Sequence, residues 1–156
     1  MASATSGDAC RDSSQAGFTL IEATIVVIII AVVVGALTPS VVRQLEHART
    51  NRAANVVAAE FFQAQTTAGR QRTPVALSFD ATAKTLTVSA PASGTTLAVR
   101  RFGLESEFKL TTFSATPSSV LVLPTGMASA TVTVTVGTAD YSRRTVMTRA
   151  GMIRVR

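Results

Sequence analysis

The feature that most constrains this chain is the twenty-residue run 18–37, F-T-L-I-E-A-T-I-V-V-I-I-I-A-V-V-V-G-A-L, whose only charge is Glu22. As a helix rising about 1.5 Å per residue, the run is roughly 30 Å long, the thickness of a bilayer's hydrocarbon core. A charge inside such a span costs about 2–3 kcal/mol even on lenient insertion scales, so a carboxylate there generally has a task. A cleaved secretory signal would have a shorter apolar core and a basic flank before it, and this run has neither.

Gly17-Phe18-Thr19-Leu20-Ile21-Glu22 followed directly by the apolar span resembles the class III signal of type IV pilins and type II secretion pseudopilins. The resemblance implies that a membrane prepilin peptidase cuts between Gly17 and Phe18 and methylates the new N-terminus. It also implies that Glu22 guides the packing of one subunit against the next. Elementary chemistry agrees. Gly17 offers an open backbone to a protease, and the amine freed on Phe18 lies about one helical turn from Glu22. In an isolated subunit Glu22 is an unpaired anion in an apolar span. In a filament a neighbour's amine answers it in low dielectric, where pairing counts most.

Charge patterning and the cleavage motif point to opposite topologies. The leader 1–17 carries Arg11 against Asp8 and Asp12, while Arg43, Arg49 and Arg52 follow the span, so the positive-inside rule alone puts the C-terminal part in the cytoplasm. The motif puts it outside, as a single-pass inner-membrane protein with an extracytoplasmic domain, and we follow the motif. The whole chain has 15 Lys and Arg against 9 Asp and Glu. Removing 1–17 leaves 14 against 7, all basic residues but Lys84 and Lys109 being arginine. Such a surface favours nucleic acid, anionic lipid or an acidic protein partner. The single cysteine, Cys10, lies in the leader, so the mature chain has no disulfide.

The remainder is long enough for one domain. Gly35 and Pro39 predict a kink or a short melted segment after the span. From Ser40, a plausible N-cap, an amphipathic helix runs to about 68, with Ala53, Ala54, Val57, Phe61, Ala64 and Ala68 on one side and Gly69 as its stop. His47 reads as a solvated helix residue. From Val75 the period becomes two, with Val75, Leu77 and Phe79 alternating against Ala76 and Ser78. Further strands are expected at 86–89, 96–102, 107–113, 120–123 and 131–136, where Val132, Val134 and Val136 alternate with threonines. A closing hairpin of 142–148 and 152–156 turns at Arg149-Ala150-Gly151. The expected fold is α+β, a long N-terminal helix packed on an antiparallel β-sandwich. Its parts are leader 1–17, transmembrane helix 18–37, amphipathic helix and linker 38–73, and β domain 74–156.

Three elements of the lower half resemble the GspH/FimT group of minor pseudopilins. They are Arg72 with Pro74-Val75-Ala76-Leu77, then Leu123-Pro124-Thr125-Gly126, then the terminal Gly151-Met152-Ile153-Arg154-Val155-Arg156. The resemblance implies a structural subunit of a type II secretion pseudopilus or type IV pilus, with other pilin subunits as partners and no cofactor.

Nothing in the composition points to catalysis. One histidine, no mature cysteine and seven scattered acids supply neither a triad nor a metal cluster, and no glycine-rich phosphate loop is present. Glu105 and Glu107 read as a solvated edge. Arg100-Arg101, Arg143, Arg144, Arg149, Arg154 and Arg156 fall in the β region. In a strand Arg154 and Arg156 share a face, giving a two-pronged candidate contact for phosphates or a partner. DNA-binding minor pilins of the FimT type end in Gly-Arg-x-Arg. Here Gly151 stands two residues earlier, and DNA uptake through the arginine cluster is the alternative function. With no Trp, and with Tyr141 the one aromatic nearby, stacking on bases is disfavoured.

Overall fold

The computed structural model describes residues 19–156, and for 36–39 the backbone alone. The chain divides into two compact units, 1–39 and 40–156. One helix, α1 (Leu20–Gln71), contributes to both. Helix runs through Gly35 and Pro39 without the melted segment expected there. Proline removes only the one N–H that would bond the carbonyl four residues back, and extending an existing helix costs far less than nucleating a new one. For the same reason Ser40 is an internal helix residue and not an N-cap. Gly69 does not stop the helix either, and the left-handed exit residue is Arg72 (φ 54°). Gly69 lies against the 123–126 turn, where a Cβ would sit 3.6 Å from the Pro124 carbonyl oxygen, an ordinary van der Waals contact.

Eight strands follow: β1 (Val75–Asp80), β2 (Thr85–Ala90), β3 (Thr95–Arg101), β4 (Thr112–Thr116), β5 (Ser119–Val122), β6 (Val132–Gly137), β7 (Ser142–Met147) and β8 (Ile153–Val155). They form two four-stranded antiparallel sheets, ordered β3-β2-β1-β5 and β4-β6-β7-β8. The period-two pattern does its work directly. Val75, Leu77 and Phe79 in β1 are buried, as are Val132, Val134 and Val136 in β6, while the threonines between those valines remain partly open.

The helix stripe predicted from spacing is the core of the second unit: Ala53, Ala54, Val57, Phe61, Ala64 and Ala68 are all fully buried. Phe61 meets Phe79 edge to face, ring centres 6.2 Å apart. Alanines on this stripe bring the helix backbone close to the strands, and the buried Thr145 hydroxyl of β7 donates to the Ala54 carbonyl at 3.1 Å.

Residues 107–111 are not the strand expected. Turns close at Ser106 N–H to the Gly103 carbonyl (3.0 Å) and Lys109 N–H to the Ser106 carbonyl (3.3 Å), and Lys109 has a φ of 50°. Phe108 and Leu110 alternate as strand residues would, and both are buried, but by local turns. Phe108 packs on Phe102, which also stacks on Phe113 at 5.2 Å. Aromatic packing outweighs pairing here, and β4 begins only at Thr112.

Candidate functional site

Gly17 and Phe18 lie outside the described residues. The helix begins just after them. The Thr19 hydroxyl accepts the Glu22 N–H at 3.2 Å and the Thr19 carbonyl accepts the Ala23 N–H at 3.1 Å, an N-cap that satisfies two first-turn donors. Thr24 Oγ1 donates to the Leu20 carbonyl at 2.8 Å. Glu22 therefore sits in the first turn, where the helix dipole favours an anion. Every residue from Thr19 to Gly35 is exposed, including Leu20, Ile21 and the Val/Ile run 25–30. This is one helix long and apolar enough to cross a membrane, with nothing in its apolar window buried by the protein itself. So large a bare apolar surface requires lipid or protein to cover it.

In the second unit, cross-links between helix and sheets account for some of the arginines singled out by the sequence. Arg143 points inward: its Nε donates to Asn51 Oδ1 at 2.8 Å and to the Tyr141 hydroxyl at 2.7 Å. Tyr141 stacks on His47, ring centres 4.0 Å apart, and donates to Asn51 Oδ1 at 3.3 Å. His47 is exposed but not free, and its partner was invisible because it lies far along the chain. Arg100 pairs with the buried Glu60 at 2.6 Å, and that hydrogen bond, with the charge behind it, raises the guanidinium pKa above its ordinary value. The second Glu60 oxygen, Oε2, has no partner. Glu105 and Glu107 are exposed, and Glu107 lies 3.8 Å from Arg52.

The five C-terminal arginines are thus not one cluster. Arg144, Arg154 and Arg156 share the outward face of β7 and β8. Val146 is paired with Arg154, and Arg144 and Arg156 exchange both backbone hydrogen bonds at 2.8 Å. Arg149 is exposed in the turn between the two strands. Beside the outward pair, Val146, Thr148, Met152, Arg154 and Arg156 line an open cavity of about 280 Å³.

A latch missed in the sequence fixes this hairpin. Gln65 Nε2 of the helix donates to the carbonyls of Gly126 (3.1 Å) and Gly151 (2.8 Å). Gly151 has a φ of 85°, and a Cβ there would overlap the Gly126 carbonyl oxygen. The Leu-Pro-Thr-Gly turn and the glycine before the basic strand therefore meet at one glutamine. Both were visible as motifs; the residue joining them was not. Among the described residues no group of His, Cys, Asp and Glu could hold a metal ion.

Residues 12–38 match the family model of the prokaryotic N-terminal methylation motif. Among solved structures, the chain resembles the type IV minor pilin FimU of Pseudomonas aeruginosa (strain PAO1) in two crystal forms. In space group P21 the TM-score is 0.58 at 19% identity, covering 71% of this chain and 90% of FimU. In P65 the TM-score is 0.54 at 19% identity, covering 68% and 91%. No curated protein matches this sequence.

Proposed function

We propose that this chain is a minor pilin or pseudopilin, a structural subunit of a type IV pilus or type II secretion pseudopilus. One observation carries the reading: a methylation motif opens a helix whose first part is bare and apolar and whose second part is the core of a pilin-fold domain. In this reading prepilin peptidase cuts after Gly17 and methylates Phe18. The span holds the subunit in the inner membrane with its domain outside, and Glu22 meets the N-terminal amine of a neighbouring subunit during assembly. Intact mass tests it: with the peptidase present the protein loses residues 1–17 and gains one methyl, and without it the mass is unchanged. A full-length mass in cells with a working peptidase would end this reading.

The second reading, DNA uptake, draws on the shared face of Arg144, Arg154 and Arg156. Against it, Tyr141 already stacks on His47 and Phe113 is buried, so neither is open to bases. A mobility shift of the full chain across a salt series, with Arg154→Ala/Arg156→Ala beside it, decides between them.

A further inference from the structure

The backbone of β8 carries more information than its arginines. β8 is the terminal strand of its sheet. Arg144 and Arg156 exchange backbone hydrogen bonds, and the Thr148 N–H donates to the Met152 carbonyl at 2.9 Å. In an antiparallel ladder such pairs alternate, so Met152, Arg154 and Arg156 turn their backbone groups to β7. Ile153 and Val155 then turn theirs to the sheet edge, away from β7. Side chains alternate as well. Arg154 and Arg156 stand on the outer face beside the cavity floored by Val146 and Met152, and Ile153 and Val155 stand on the inner face, Val155 still 38% exposed.

From this we infer that β8 is a strand-addition site for an extended partner segment in which acidic and apolar residues alternate. Such a segment pairs its backbone with Ile153 and Val155. Its carboxylates lie over Arg154 and Arg156, and its apolar side chains cover Val155 and the edge of the core. Charge selects this occupant over a second β8, because two copies would bring arginines together. The other edges are less suited. β3 is broken by a bulge opposite Val88 and Ser89, β5 is bridged by Ala128, and β4 (T-F-S-A-T) has no charge to choose a partner. Phosphate recognition would leave the backbone edge and Val155 unused, so the geometry favours a peptide over a nucleic acid. The inference names a partner for the domain of the proposed subunit. It is read on the purified chain, so a failed processing test would leave it standing.

The test uses the full chain in nanodiscs, with empty nanodiscs as blank and fluorescence anisotropy of short labelled peptides as readout. An extended peptide alternating Glu and Val is expected to bind, more weakly as salt rises. Methylating its edge-facing amide nitrogens abolishes binding. Arg154→Ala/Arg156→Ala weakens it roughly tenfold, as two partly exposed ion pairs would. Arg154→Glu/Arg156→Glu transfers the preference to a Lys/Val peptide, a gain that a misfolded variant could not show. Equal binding of the Lys/Val peptide or of oligothymidylate by the unaltered chain would overturn the proposal. So would undiminished binding of the N-methylated peptide.

Discussion

The two parts of α1 obey the same backbone rules and solve opposite problems. Residues 25–35 are apolar on every side, and every one of them is exposed. Residues 50–68 are apolar on one stripe, and that stripe is fully covered by sheet. A helix greasy all round is made for lipid or for other helices, whereas a striped one is made for a single neighbouring surface. The first part therefore contributes little to the stability of the domain, and the second contributes much of it. Each substitution below probes that contrast by unfolding of the full chain, followed through the sole tyrosine, Tyr141.

The largest effect should come from the neighbours Phe61, fully buried, and Phe62, 57% exposed. Phe61→Ala is expected to cost about 3–5 kcal/mol through lost burial and a cavity, and Phe62→Ala less than about 1 kcal/mol. Equal losses would show that the stripe is not the core. Next comes Gly151→Ala, where positive φ and the Gly126 carbonyl leave no room. A loss of about 2 kcal/mol or more is expected, with β8 detaching first by hydrogen exchange. Retention of full stability would mean the Gln65 latch is slack.

Arg100→Ala should cost less, about 1–2 kcal/mol, because Arg100 is half exposed and screened although Glu60 is buried. Its folded pKa is raised, so its stabilisation is complete below the unfolded value and lost only as pH climbs through the folded one, in strongly alkaline solution. Between acid and neutral pH the unaltered chain should show no stability change from this group. Smallest is Glu22→Ala, expected within about 0.5 kcal/mol of the unaltered domain. Membrane insertion should be kept and incorporation into filaments impaired. Normal incorporation would remove the proposed role of Glu22 in assembly.

The legible part of the molecule follows periodicity. Ala53 to Ala68 at helical spacing and the valines of β6 at period two could be assigned to the core because each pattern has one face to bury. The illegible parts are places where distant residues override a local signal. Pro39 and Ser40 look like a break, yet helix propagates through them. Phe108 and Leu110 alternate like a strand, yet packing on Phe102 holds them in turns. Arg143 looks like its neighbour Arg144, but strand alternation turns it inward to Asn51, whose place ninety-two residues earlier no local pattern reveals.

By itself the sequence determined the apolar span with its lone acid, the methylation motif, the buried stripe and most of the strands, because these depend on composition and on periods of two and 3.6 residues. Only the tertiary structure decided which arginines face solvent, that Gln65 joins two glycine turns, and that β8 ends its sheet with Ile153 and Val155 at the edge. Those facts depend on which segments meet across the fold, and pairing between distant segments leaves no period in the chain.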